Sequence, residues 1–446
     1  MLDFSKNGFY LLINTYFRNS ILVFMRVFKF GGASVKDAES VRNVGYIINN
    51  FSDDQVIVVV SAMGKTTNAM ELIADALYTK QYDDFRSLVK ERKEFHLSIV
   101  ESLFEEKNHP IFEEVISIFN NLGNRTNLPS AENYDFEYDQ IVSLGEVVST
   151  KIIEAYIALH RKDSVWMDAR LLIRTNNQYR YADVNWQKTE RLVSNFVQTH
   201  SEKNVFVTQG FLGHTDEGFT TTLGREGSDF TAGIFAYCLD ATDVTIWKDV
   251  PGMLNADPKW FDNTVKLDMI SFKEAIELAY YGASVIHPKT LKPLQNKGIS
   301  LFVKSFIHPE NPGTVIQSST EFDALIPSFI FKMNQVLMSI TPKDFSFIAE
   351  ENLSDIFQRL AIGSARINVM QNSALSFTAC MDIRPASLLK LVEDLSKDYI
   401  IKYNNDLELV TIRHYDQATI DRVTMGKEIL MEQKTRQTAR IVMKNS

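Results

Sequence analysis

Three β-branched runs, Val56-Ile-Val-Val-Val60, Val205-Phe-Val207 and Val244-Thr-Ile-Trp247, are too uniformly apolar for strands with one wet face. Runs of this kind are buried on both sides, as in a parallel sheet covered by helices. The stretches between them are amphipathic and long enough to serve as crossover helices, so residues from Arg26 to about Pro312 predict an α/β layered fold with a mainly parallel sheet. Chemistry follows two of the runs at once, Gln209-Gly210-Phe211 after one and Lys248-Asp249 after another. In open α/β sheets ligands gather at the carboxyl ends of strands, which marks these residues as site candidates. Residues 81–125 read instead as a charged helical insertion, with Phe95, Ile99, Leu103 and Phe104 at helical spacing.

A chain of 446 residues exceeds one ordinary core and implies two or three domains. A hydrophobic content of 45% with 23% charged residues fits a folded chain. The net charge of −9 argues against nucleic acid as a partner, while leaving room for a nucleotide in a local basic pocket. Cys238 and Cys380 lie far apart in apolar runs, with neither metal-ligand nor disulfide-framework spacing, which points to a reducing cytoplasm. In residues 1–24 two apolar pieces are broken by Arg18-Asn19-Ser20; neither spans a bilayer, and no membrane association is expected. The segment reads as a loose extension or a mis-assigned start, with Met25 as the natural first residue.

The densest chemistry is in residues 221–231, Thr-Thr-Leu-Gly-Arg-Glu-Gly-Ser-Asp-Phe-Thr. Gly224 and Gly227 let the backbone approach a ligand, and Arg225 offers a bidentate fork for a carboxylate or phosphate. Ser228 and Asp229 are expected to open a helix as capping residues, at an end that attracts anions. Near the start, Lys29-Phe-Gly-Gly32 places a point charge and two close-approaching glycines at the end of a strand, a pattern suited to phosphate. It lacks the order of a Walker motif. Each segment alone is equally compatible with a glycine turn and a solvated cation. Glu146, in Ser143-Leu-Gly-Glu146, could as easily complement a helix dipole. His287-Pro288 reads as a turn, and Met63 and Met70 as core filler.

Together the motifs are specific. Lys29 to Val35, Val60 to Asn68, Ser143 to Glu146, Gln209 to Gly213, Thr221 to Ala232, Asp249 to Gly252 with Asp257-Pro258, and Glu277 to Ala283 with His287-Pro288 resemble, in order, the signatures of aspartate kinases. The resemblance covers about residues 26–316 and implies an amino acid kinase-like three-layer sandwich, with 25–316 as the catalytic domain. The tail, 317–446, resembles paired ACT regulatory units, one at 335–403 and a second built from 317–334 and 404–446. Strands are expected at 335–340, 367–370, 375–381, 407–414 and 438–443, and helices at 347–360, 386–395 and 420–429.

The resemblance implies phosphorylation of the β-carboxylate of L-aspartate by ATP with Mg2+, giving 4-phospho-L-aspartate on the route to lysine, threonine and methionine. It casts Lys29 as the bridge between donor and acceptor phosphoryl oxygens and Asp229 as the residue that orients it. Arg225 clamps the substrate α-carboxylate, Glu146 meets its ammonium group, and Ser61, Thr67, Glu226, Gly227 and Ser228 complete the substrate site. The nucleotide falls to Lys29, Gly31, Gly32, Lys248, Asp249, Leu254, Lys259, Ser284 and Val285. A homodimer or homotetramer with feedback by lysine or threonine is also implied. The chain departs from the pattern at Ala33, where a hydroxyl is usual, and at Leu254 and Lys259, which stand for an aromatic residue and an arginine. Ser346 stands where effector loops carry glycine, with Gln371-Asn372-Ser373 offering amides and a hydroxyl to an effector. Glu226 replaces a glycine beside Arg225.

Overall fold

The computed structural model describes residues 24–52, 55–127, 133–283, 286–344 and 346–445. The expected extension and natural start therefore concern residues that, up to 23, lie outside the described ones. The chain forms two compact units, one made of the described residues up to Gly252 with Lys289–Gln317, the other of Met253–Pro288 with the residues from Ser318 onward.

In the first unit the strands stand in the order Ser164–Met167, Val205–Gln209, Gln55–Val60, Met25–Phe30, Asp243–Lys248, Ser300–Ser305 and Thr314–Gln317. All neighbours are parallel except the last pair. The runs that read as doubly buried are so: every residue of Gln55–Val60 and Val205–Gln209 is out of solvent. Met25–Phe30 is central, with Lys29 in register with Val59 on one side and Ile246 on the other. The carboxyl ends of three adjacent strands, at Phe30, Val60 and Lys248, consequently open on one edge. Beneath them Phe28 and Phe30 pack on Trp247 at ring-centroid distances of 5.6 and 6.3 Å. The helical insertion is present as Tyr82–Leu103 and Ile111–Gly123, whose Phe85, Ile99, Val100 and Phe119 join the same core. No helix among the described residues is long and apolar enough to cross a membrane, and both cysteines are buried and free.

The second unit holds a six-stranded antiparallel sheet in the order Arg366–Asn372, Phe377–Asp382, Ser328–Pro342, Tyr399–Arg413, Thr438–Asn445, Lys427–Lys434. The expected short strands at 335–340 and 407–414 are parts of two 15-residue strands, Ser328–Pro342 and Tyr399–Arg413, which pair along most of their length. Asn404-Asn405-Asp406 carries turn chemistry, yet it forms an irregularity within a strand, with Asp406 at φ +57° beside the register shift at Gln335. The helix expected from Phe347 begins at Glu350, because Ile348 donates its N–H to Ala374 O at 2.9 Å and Ala349, the cap, is extended. The helix expected at 420–429 is Gln417–Thr424, capped by Asp416 and ended before Gly426 at φ +70°; residues from Lys427 form a strand instead. At the presumed effector turn the Ser373 hydroxyl is taken by Ser376, 2.8 Å away.

Residues 25–316 are not one compact body. Within the second unit Phe261 stacks on Phe329 at 4.5 Å, Phe329 N donates to Asn255 O at 2.6 Å, and Arg413 Nε donates to Glu274 Oε1 at 3.0 Å. These aromatic and ionic contacts bind 253–288 to the tail's sheet.

Candidate active site

The carboxyl edge of the first unit opens into a cleft of about 540 Å³. Lys29 lies at its floor, 8% exposed, with Nζ 2.6 Å from Asp229 Oδ1. Lys248 Nζ stands 4.0 Å from the other oxygen of the same carboxylate. Asp229, 4% exposed, thus holds two cations from adjacent strand ends in one place. Cations so converged suit an anion that gathers charge during a reaction.

Gly32 shapes the adjoining wall. A Cβ on it would meet the carbonyl oxygens of Ala62 and Gly64 at 2.8 Å, so only glycine lets the turn after Lys29 press on the turn after Val60. Ser61, Ala62, Gly64 and Thr67 line the cleft from that second turn. Glu146, in the first turn of the helix Leu144–His160, is 2% exposed. Its Oε1 accepts from Ala62 N at 3.3 Å, while Oε2 has no hydrogen-bond partner among the described residues. Burial pushes this carboxyl up to about 8, against an ordinary 4.5, with the Ala62 N–H pulling the other way.

The glycine-rich segment supplies the opposite wall through Gly224, Arg225, Glu226, Gly227, Ser228 and Asp229. Its helix, Gly227–Cys238, starts one residue earlier than expected, and Ser228 and Asp229 fall inside the first turn instead of capping it. The cap position is Glu226, at φ +55° and ψ +27°, with no side-chain capping bond. A left-handed residue with a Cβ costs about 1 kcal/mol, which is the backbone reason a glycine is the ordinary occupant. Glu226 Oε2 is buried without a hydrogen-bond partner among the described residues.

Eleven expected residues therefore share one cleft: Lys29, Gly32, Ser61, Thr67, Glu146, Arg225, Glu226, Gly227, Ser228, Asp229 and Lys248. Gly31 adjoins it, its Cβ position 3.5 Å from Lys29 Nζ. Asp249 does not line the cleft; it borders a separate cavity with Ser34, Lys36 and Arg42. Leu254 and Lys259 belong to the second unit and are absent from the cleft's lining. Ser284 and Val285 lie outside the described residues.

Sequence reasoning missed Glu71, Tyr138 and Arg180, which line the mouth. Tyr138 donates its hydroxyl to Glu71 Oε1 at 2.5 Å and carries the Arg180 guanidinium over its ring at 4.3 Å. Arg180 is at φ +68°, and its N–H is held 3.0 Å from Asp139 Oδ2. Asp139 also accepts from Thr222 N at 2.9 Å and Thr222 Oγ1 at 2.7 Å; burial pushes it up to about 6 despite these bonds. Only Glu71 had a usable signal, one helical turn beyond Thr67 on the same face.

With this geometry in view, the chain belongs to the amino acid kinase family, which it matches over residues 25–305. Within that family it is 30% identical over 359 residues to the lysine-sensitive aspartokinase 3 of Escherichia coli, covering 80% of this chain and 78% of the relative. The fold agrees with a solved structure of E. coli aspartokinase III in complex with aspartate and ADP at a TM-score of 0.76, 26% identity, and coverage of 94% and 96% of the two chains. It also agrees with a second, in complex with lysine and aspartate, at a TM-score of 0.77, 26% identity, and coverage of 94% and 95%.

Proposed function

We propose that this cleft transfers the γ-phosphoryl group of ATP to the β-carboxylate of L-aspartate. The observation that carries the reading is the Lys29–Asp229–Lys248 cluster in the same cleft as Arg225 and Glu146. A β-carboxylate oxygen attacks the γ-phosphorus as the bond to the β,γ-bridging oxygen breaks; the products are 4-phospho-L-aspartate and ADP. The nucleophile is already ionised and needs no general base, so the protein's work is alignment and charge neutralisation. Lys29 bridges the transferring oxygens and Asp229 fixes its ammonium group, leaving Lys248 and the glycine turn at Gly31 and Gly32 for the phosphates. Arg225 clamps the α-carboxylate, and Glu146 ionises as it receives the α-ammonium. Ser61, Thr67, Gly227 and Ser228 complete the orientation.

Mg2+ enters with the nucleotide in this reading and neutralises phosphate charge. The described residues contain no cluster of three or more acidic, His or Cys groups that would hold it without the phosphates. Residues 25–316 are assigned to catalysis and 317–446 to regulation in a cytoplasmic homodimer or homotetramer, with lysine as the effector. The likeness to a lysine-bound aspartokinase supports the effector, and the six-stranded antiparallel sheet offers the paired units such an effector needs.

A coupled assay for ADP tests the activity. L-aspartate should drive ADP release, while L-glutamate and N-acetylglutamate should not; release with glutamate at the aspartate rate would overturn the substrate assignment.

A further inference from the structure

Glu226 places a carboxyl group on a strained backbone. Its φ of +55° is one that glycine adopts freely, its Oε2 is sealed from water, and no donor among the described residues reaches that oxygen. A strained residue with an unsatisfied buried oxygen at a cleft wall marks a place where a ligand supplies what the protein does not. The missing ligand is a hydrogen-bond donor, and a cationic one bonds a carboxylate most strongly.

Two kinds of cation could enter: an ammonium group and a metal ion riding on phosphates. Position favours the first. Glu226 follows Arg225 directly, and Arg225 is the fork for the substrate's α-carboxylate. In an α-amino acid the ammonium is attached to the carbon that bears that carboxylate, and Glu226 lines the same cleft as Arg225, within which the two groups of the substrate must both be met. Phosphate charge is matched elsewhere, by Lys29 and Lys248 around Asp229. Glu146 gives an independent sign of the same demand. It lines the cleft at 2% exposure, and its Oε2 likewise lacks a partner among the described residues.

We propose that Glu226 and Glu146 together form a two-carboxylate seat for the α-ammonium of the substrate, and that Glu226 is a specificity residue against dicarboxylates lacking that group. The proposal rests on the aspartate reading. One ammonium then meets two carboxyl groups, with Glu146 ionising as the substrate arrives. Succinate, with the same two carboxylates and no ammonium, then leaves both buried oxygens unpaired and is rejected.

Calorimetric titration of L-aspartate and succinate into wild type, Glu226→Gln and Glu226→Gly tests it, alongside ADP release at varied Mg2+. Glu226→Gly relieves the left-handed strain and so guards against a folding failure. Both variants should bind L-aspartate about tenfold more weakly while binding succinate at least as tightly as wild type, so that discrimination shrinks by at least the same factor. Unchanged aspartate affinity, an equal loss for both ligands, or a shift only in the Mg2+ requirement would each overturn the seat. Wild type that binds aspartate but releases no ADP would instead overturn the kinase reading and leave the seat standing.

Discussion

The catalytic cleft and the centre of the tail's sheet differ in how their buried side chains are met. In the tail's sheet Gln335, wholly buried, accepts from Asn368 Nδ2 at 2.7 Å and donates to Met333 O at 3.1 Å and to Asp382. Arg413 meets both oxygens of Glu274 and donates to Thr438 Oγ1 at 2.7 Å. In the cleft of the first unit, Glu146 and Glu226 each keep a buried oxygen without such a partner. Burying polar atoms is costly unless they are bonded, so Gln335 and Arg413 hold their sheet together, while Glu146 and Glu226 are the carboxylates of the cleft lining with an open buried oxygen to offer the proposed ligand. The contrast assigns roles that charge content alone would not, since both regions are rich in buried charge.

The sharpest break in that contrast is substitution of a cleft charge. Lys29→Ala should lower the rate of ADP release by on the order of a thousandfold with a smaller loss of stability than Arg413→Ala, because Lys29 acts on transferring charge and Asp229 keeps Lys248 within 4.0 Å. Arg413→Ala should do the reverse. It leaves Glu274 buried and unpaired, so denaturant titration should show a loss of about 3–5 kcal/mol, and Arg413→Met with Glu274→Met should recover most of it. A tail variant that lost activity without losing stability would break the division.

Acidity gives a second comparison. The Glu146 carboxyl titrates near 8 in the folded chain and near 4.5 when unfolded, so between those values the folded form holds a proton that the unfolded form does not. Stability therefore falls as pH rises through that window, by up to about 1.4 kcal/mol per pH unit from this group. Glu146→Gln should remove that slope, read as melting temperature against pH. Aspartate affinity should move oppositely and tighten towards pH 8, since the ammonium needs the ionised carboxylate, and the variant should lose this dependence too.

The smallest effects concern backbone alone. Gly426, at φ +70° with open space around its Cβ position, should cost about 1 kcal/mol when changed to Ala. Glu226→Gly, where strain already exists, should gain a similar amount. Equal signs in the two denaturation curves would contradict the strain assigned to Glu226.

The cleft was legible because its chemistry sits in short glycine-bounded segments at strand ends, and a parallel sheet brings such ends to one edge whatever their separation in sequence. Tyr138 and Arg180 were not legible, and Glu71 only through its helical spacing from Thr67: the place of each depends on how the helices Thr66–Tyr78 and Tyr134–Val142 pack. The tail misled for a different reason. Asn404-Asn405-Asp406 has turn composition, but pairing on both sides carries the strand through it, and tertiary pairing outweighs local preference in sheets. The regrouping of 253–288 with the tail depends on contacts such as Phe261 on Phe329, which no local pattern encodes.

The central claim is that Lys29, held by Asp229, transfers phosphate to the side-chain carboxylate of aspartate. Trapping the product with hydroxylamine tests it most directly, because only an acyl phosphate yields a hydroxamate. With ATP and L-aspartate the wild-type chain should give β-aspartyl hydroxamate and Lys29→Ala almost none. ADP release without hydroxamate, or a Lys29→Ala variant that forms it at the wild-type rate, would contradict the account.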